Sequence, residues 1–500
     1  MLNNPQLDSD APWKDRFRIP RTSCIMIAEN NPDRGLAISN RSGTYQLYAW
    51  DVPTGEFTQL TDRPHGQFYG YLSPDGKYVY YHHDEMGNEL GHLKRLPYGG
   101  GDAVDITPEL PPYSLAGLHI STNGQAIGFT RADREGFFLY TARLDSDHGM
   151  GTFQLISHQT NLLAGPVFSA DGSLALTIAS ERPKNLKYHL LVFDVSSGAL
   201  VARLSDEPDG ALRPGMFSPI PGDFRLIAST NLSGYPRPFI WDPIKEERRE
   251  LELQDLEGTV SVNDWSRDGR YLLLNHVSRA VKRLYLYDLD KDRLINLEHP
   301  AGNPFGTYFG PGKEIFVHWQ DSTHPTRLIA LDMETGTVNR TVLETSAVPP
   351  CRPWKSIIFT SSDGQEIQAW LAIPDGPGPY PTILNTHGGP ESAKLETFSP
   401  ESQAWLDHGF AYLTINYRGS TTFGRKFKEK IWGDLGHWEV EDMAAAYGML
   451  VDRGISRPDA VFLTGWSYGG YLTLQAMGVR PDLWAGGMAG IAISDWRINH

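Results

Sequence analysis

The chain has 500 residues, 40% of them hydrophobic and 21% charged, with a formal net charge of −15. A single hydrophobic core stops growing near roughly 250–300 residues, so at least two domains are expected. The acidic balance argues against a nucleic-acid or anionic-membrane partner, because both require a basic footprint.

Two cysteines, Cys24 and Cys351, provide no disulfide framework. The segment 1–20 reads as a lead-in that carries Asp8, Asp10, Lys14, Asp15, Arg16 and Arg18 without an apolar stretch. It therefore lacks the pattern of a secretory leader. No run approaches the roughly 20 apolar residues of a membrane span, and a cytoplasmic location is expected. No metal or cofactor is expected, and no motif speaks to the oligomeric state.

From residue 21 to 347 the sequence repeats. Ser73-Pro74-Asp75-Gly76, Ser121-Thr122-Asn123-Gly124, Ser169-Ala170-Asp171-Gly172 and Ser266-Arg267-Asp268-Gly269 share one pattern, with looser copies at Gly222 and Gly312. The six glycines are spaced by 48, 48, 50, 47 and 43 residues, and Asp33-Arg34-Gly35 reads as a degenerate first copy. A β-rich run ending in aspartate keeps the same beat, at Asp51, Asp194, Asp242, Asp288 and Asp332. Asp/Asn-Gly between apolar runs signals a hairpin, and two turns per repeat means about four strands. That is the blade of a β-propeller, and the count gives seven blades.

Three features here imitate sites. His82-His83-Asp84 resembles a metal cluster, but adjacent strand residues point to opposite faces. Tyr98-Gly99-Gly100-Gly101 lacks the Lys-Ser/Thr of a phosphate loop and falls where a blade turn is due. Glu246-Glu247 lies in a charged hairpin and reads as a solvated turn.

The repeat ends at Val348-Pro349-Pro350-Cys351-Arg352-Pro353, a linker signal that opens a second domain at 348–500. Segments 367–373, 381–385 and 410–416 read as strands, and 439–451 as a helix with Val440, Met443, Ala444, Tyr447, Leu450 and Val451 on one face. Val461-Phe462-Leu463-Thr464 is a continuous apolar strand, as in a sheet covered on both faces. It runs into Gly465-Trp466-Ser467-Tyr468-Gly469-Gly470, followed by a helix at 471–477.

Gly-x-Ser-x-Gly between a buried strand and a helix reads as a nucleophile elbow, the strained turn of an α/β-hydrolase, with Ser467 as nucleophile. The helix N-terminus behind it offers free N–H groups to a developing oxyanion. His387-Gly388-Gly389-Pro390 follows the 381–385 strand, where this fold places its other oxyanion donor. The expected donors are the backbone amides of Gly389 and Tyr468. His387 precedes the serine in the chain, whereas the base of this fold follows it, so a loop-orienting role is expected instead.

A propeller followed by a doubly wound α/β-hydrolase domain resembles the prolyl oligopeptidase family of serine peptidases. The resemblance is carried by His387-Gly388-Gly389-Pro390, Asn416-Tyr417-Arg418-Gly419-Ser420, Trp438-Glu439-Val440-Glu441-Asp442 and the elbow extended to Tyr471. The elbow is similar to the dipeptidyl-peptidase and acylaminoacyl-peptidase branches, and the His-Gly-Gly-Pro loop to the latter. The resemblance implies Ser467 as nucleophile, Gly389 and Tyr468 as the oxyanion hole, and a propeller that limits substrates to short peptides. It also implies Trp496 as an aromatic wall of the substrate pocket, although Arg497-Ile498-Asn499 departs from the tyrosines often found there.

The mechanism needs a base for the Ser467 proton and an acid to orient that base, in the chain order Ser, Asp, His. Asp482 and Asp495 come too early, and His500 has no strand to position it. The hydrolase domain is therefore expected to be incomplete at its C-terminus, with little peptidase activity in this chain. Segment 485–493 is expected as an exposed apolar sheet edge. The leading expectation is hydrolysis of short peptides through an acyl-enzyme at Ser467. An esterase using the same site and a non-catalytic propeller binding protein stand as alternatives.

Overall fold

Hydrogen bonds local to each Ser-x-Asp-Gly turn explain why the motif recurs. In the computed structural model, which describes residues 7–145, 148–181 and 187–496, Ser73 Oγ donates to Asp75 Oδ1 at 2.7 Å and accepts the Tyr78 N–H at 3.0 Å. The same two bonds recur from Ser121, Ser169 and Ser266. Each turn closes on a glycine with φ between 71° and 73°, a region costly for residues bearing a Cβ. The strand-ending aspartates cap the opposite turns: Asp194 accepts the N–H groups of Ser196 and Ser197 at 3.1 and 2.8 Å.

Seven four-stranded antiparallel sheets result, over 22–59, 71–105, 114–159, 163–204, 212–250, 259–296 and 303–343. They are the blades of the expected propeller. Neighbouring blades share apolar clusters, such as Tyr80, Leu93, Ile127 and Phe129 between the second and third. Every blade is built from consecutive strands. The first and seventh therefore join through side chains, with Ile25 and Tyr48 packed among Phe316 and Leu328. His318 Nε2 adds a contact of 3.1 Å to the Ile25 carbonyl across this seam.

One expected repeat is corrected. Gly35 lies inside the strand Asn31–Ser39 and is not a turn. It is glycine because a Cβ there would sit 2.3 Å from Trp50 Cε3. The first blade turns earlier, at Glu29-Asn30, where the Asn30 N–H bonds Pro74 O at 2.7 Å. Of the three imitations, His82 Nε2 lies 2.9 Å from Tyr113 O, Gly100 and Gly101 turn between the strands Gly91–Pro97 and Val104–Asp105, and Glu246 sits at a hairpin tip with φ 57°.

The hydrolase domain centres on a six-stranded sheet of β1 (Lys355–Thr360), β2 (Glu366–Ala372), β3 (Tyr380–Thr386), β4 (Ala411–Asn416), β5 (Ser456–Trp466) and β6 (Gly486–Gly490), in the order β1-β2-β4-β3-β5-β6. Strands β4, β3, β5 and β6 run parallel. The helices are α1 (Pro12–Arg18), α2 (Pro400–Asp407), α3 (Arg425–Glu429), α4 (Trp438–Asp452) and α5 (Tyr468–Val479). The lead-in segment is docked: Arg16 of α1 donates to Asp407 Oδ2 of α2 at 2.5 Å and to the Pro350 carbonyl at 2.5 Å. Among the described residues no helix is long and apolar enough to cross a membrane.

Three details differ from the sequence reading. Strand β6 is shorter than 485–493 because Ile491 takes φ 38° and breaks the extended chain; it stands at the sheet edge with Met488 half exposed. Helix α5 starts at Tyr468 instead of 471, with Gly469 and Gly470 in its first turn. On α4 the expected Val440, Met443 and Leu450 are buried and Ala444, Tyr447 and Val451 only half-buried, while the buried face widens to take in Glu439, Asp442, Ala446 and Met449.

Candidate active site

Ser467 sits between β5 and α5 with φ 57° and ψ −118°, a strained backbone for a non-glycine residue. Close packing of three segments holds it there. A Cβ on Gly465 would fall 2.4 Å from the Gly469 carbonyl group, and one on Gly469 would fall 2.3 Å from Thr386 O. Only glycine at both positions lets the turn close this tightly on the end of β3. The Ser467 N–H donates to Gly490 O at 3.0 Å, and the Ser467 carbonyl accepts the Tyr471 N–H at 3.0 Å as α5 begins. The hydroxyl thus stands at the C-terminal end of the parallel strands, in front of the α5 N-terminus and its positive dipole end.

The 387–390 loop leaves β3 beside this turn. A Cβ on Gly388 would lie 2.9 Å from Trp466 O and 3.4 Å from Ser467 Cβ, which fixes the loop against the elbow. Gly389 is exposed, takes φ 49°, and has open space where a side chain would project. Tyr468 is the first residue of α5, so its N–H has no acceptor within the helix. The structure therefore brings Ser467 and Tyr468 together at the elbow, with the Gly388-Gly389 backbone alongside.

His387 lies beneath the loop. Its Nε2 is 2.9 Å from Ser420 Oγ and its Nδ1 3.0 Å from Gly388 O, while Tyr417 stacks on the ring and donates to the His387 carbonyl at 2.8 Å. Burial pushes its pKa down to about 4, so it is neutral at physiological pH. Among the described residues, nothing hydrogen-bonds to Ser467 Oγ. His500 and Arg497-Ile498-Asn499 lie outside the described residues.

Two buried polar networks support the elbow, and their roles were not legible in the sequence. The Tyr468 phenol donates to the Glu439 carboxylate, which also accepts the Gly436 N–H at 3.0 Å. Burial raises the pKa of both, and the Glu439 charge raises that of Tyr468 further. Arg418, 1% exposed, donates to Asp442 at 2.5 Å, to Asp363 at 2.6 Å and to Ser361 at 2.9 Å. This pins the loop after β4 to α4. Trp496 packs on Tyr468 and Tyr471 at ring distances of 5.8 and 5.3 Å, against the hydrolase core. Trp466, next to the serine, leaves 58% of its surface exposed; its place in the motif marked it, but not its exposure.

Comparisons with known proteins agree with this architecture. Residues 396–500 match the family described as the prolyl oligopeptidase family. The chain is 31% identical over 513 residues to dipeptidyl aminopeptidase BIII of Pseudoxanthomonas mexicana, covering 92% of this chain and 70% of that protein. It is 26% identical over 517 residues to the uncharacterized peptidase YuxL of Bacillus subtilis, covering 94% and 73%. Among solved structures, a puromycin-hydrolyzing peptidase of Mycobacterium tuberculosis superposes with a TM-score of 0.81 at 19% identity, covering 98% of this chain and 80% of that one. That last likeness concerns the fold.

Proposed function

Because this chain belongs to the prolyl oligopeptidase family of serine peptidases, we propose that it hydrolyses short peptides through an acyl-enzyme on Ser467, releasing dipeptides or acylated residues. The observation that carries this reading is the strained Ser467 backbone at the mouth of α5, with the 387–390 loop packed against it.

In the proposed reaction Ser467 Oγ attacks the scissile carbonyl carbon and the C=O electron pair moves onto oxygen. The Gly389 and Tyr468 N–H groups receive that oxyanion, and losing one such donor typically costs about 2.7–4 kcal/mol of transition-state stabilisation. The C–N bond then breaks, and the serine proton is delivered to the leaving amine by a base that we place outside the described residues. Water hydrolyses the acyl-serine ester and restores Oγ. We assign the propeller the role of a cap that limits substrate length, and Trp496 that of a wall of the substrate pocket. The relatives' names include a dipeptidyl aminopeptidase and an acylamino-acid-releasing enzyme, which supports peptides with free or acylated N-termini as substrates.

The test is turnover of dipeptidyl- and N-acylaminoacyl-4-nitroanilides by the protein at its natural full length, with fluorophosphonate labelling alongside. Ser467→Ala is expected to lower kcat by at least ~10⁴-fold and to abolish the adduct. An adduct mapped to another residue, or undiminished turnover in the variant, overturns the assignment.

A further inference from the structure

The chain carries a net charge of −15, yet a cavity of about 510 Å³ is lined by four arginines, Arg16, Arg21, Arg41 and Arg327. It opens where α1, the first blade, the seventh blade and residues 344–346 meet, with Phe398 of the hydrolase domain in its wall. None of its lining residues belongs to the 387–390 loop or the elbow.

Two of the four charges are compensated. Arg16 pairs with Asp407 at 2.5 Å, and Arg327 faces Glu344 at 3.8 Å. Among the described residues, Arg21 and Arg41 have no carboxylate at ion-pair distance. The Arg41 guanidinium rests over Phe57, 4.0 Å from the ring centroid, which steadies it without neutralising it. Inside the cavity wall, Arg16 is 2% exposed and its Nε has no hydrogen-bond partner. Arg327 Nε is likewise buried and unpartnered. Buried N–H donors are almost always satisfied, and a guanidinium is matched best by an oxyanion. Thr326, Thr345 and Ser346 line the same space, whereas the Thr22 and Ser23 hydroxyls already donate to Ser39 Oγ and the Ile38 carbonyl.

We propose that this cavity binds a small oxyanion, a carboxylate or phosphate group, held between Arg21 at the entry to the first blade, Arg41 within that blade and Arg327 of the seventh. The ligand would lie across the seam where the propeller ring is joined by side chains alone. Occupancy there fastens the two blades to each other and to α1. The site is independent of the chemistry assigned to Ser467.

The experiment is calorimetric titration and thermal unfolding of the full chain with inorganic phosphate and, separately, with citrate, against chloride at matched ionic strength. Saturable binding with a rise in Tm is expected for at least one of them. Phosphate alone identifies a compact tetrahedral anion, and citrate alone a polycarboxylate. Arg21→Ala combined with Arg41→Ala should weaken binding at least tenfold. Arg340→Ala, which removes an arginine paired with Glu314 outside the cavity, should leave it unchanged. Arg16 stays intact, because its pair with Asp407 supports the docked helix. A Tm that follows ionic strength alone, or a double variant that folds and keeps its affinity, overturns the proposal.

Discussion

Single atoms decide whether the elbow can form. A methyl group at Gly465 would meet the Gly469 carbonyl carbon and oxygen, both backbone atoms with no room to move. Gly465→Ala should therefore cost about 1–3 kcal/mol and suppress labelling of Ser467, measured by thermal unfolding and by fluorophosphonate. Trp496→Ala separates two roles: a rise in KM at constant Tm marks a pocket wall, and a fall in Tm at constant KM marks packing alone. Asp264 gives a pH-dependent case. Burial raises its pKa from 3.8 to about 6, against the lowering effect of the Phe309 and Trp265 N–H groups. The fold favours the protonated acid, so this contribution is complete below pH ~3.8 and is lost as pH rises through ~6. Asp264→Asn should flatten the stability curve between those limits, and an unchanged slope in urea titrations would refute it. The elbow was readable in the sequence because its glycines and serine are neighbours in the chain. The Tyr468–Glu439 and Arg418–Asp442 bonds were not, since each joins residues 24 or more apart and their letters carry no sign of burial.

At the level of the element, one turn is used repeatedly in different surroundings. Gly124 and Gly172 both have φ 72°. A Cβ on Gly124 meets nothing within 4 Å, whereas one on Gly172 would lie 2.9 Å from Ala126 Cβ. Gly124→Ala should cost roughly the 1–2 kcal/mol of a left-handed residue, and Gly172→Ala measurably more in the same unfolding assay. Equal costs would show that backbone conformation alone governs these turns. The blades were legible because serine, aspartate and glycine satisfy one another within a single turn. Gly35 misled for the opposite reason: its absent side chain makes room for Trp50 on the next strand, a contact that no local pattern records. The α4 face widened similarly. Asp442, 0% exposed, is buried only because Arg418 arrives from the β4 loop. Asp442→Ala would leave that guanidinium buried without its main partner, at an expected cost of about 3–5 kcal/mol.

Across the whole molecule, the proposed cap makes a statement about substrate length. A tetrapeptide should be cleaved at least tenfold faster than the same sequence within a denatured protein, by the protein at its natural full length. Equal rates would remove the propeller from the account of specificity. The arrangement of the blades has a further consequence. Because each is a contiguous stretch and none borrows a strand from another, the chain enters the ring at Thr22 and leaves it at Leu343 on neighbouring blades. Arg16, just before the ring, then clasps Asp407 and the Pro350 carbonyl, just after it. Topologically the propeller is a single excursion from the hydrolase domain, starting and finishing at one anchorage. A module attached in this way can be lengthened, shortened or exchanged as one block of sequence while the sheet that carries the serine keeps its own connectivity.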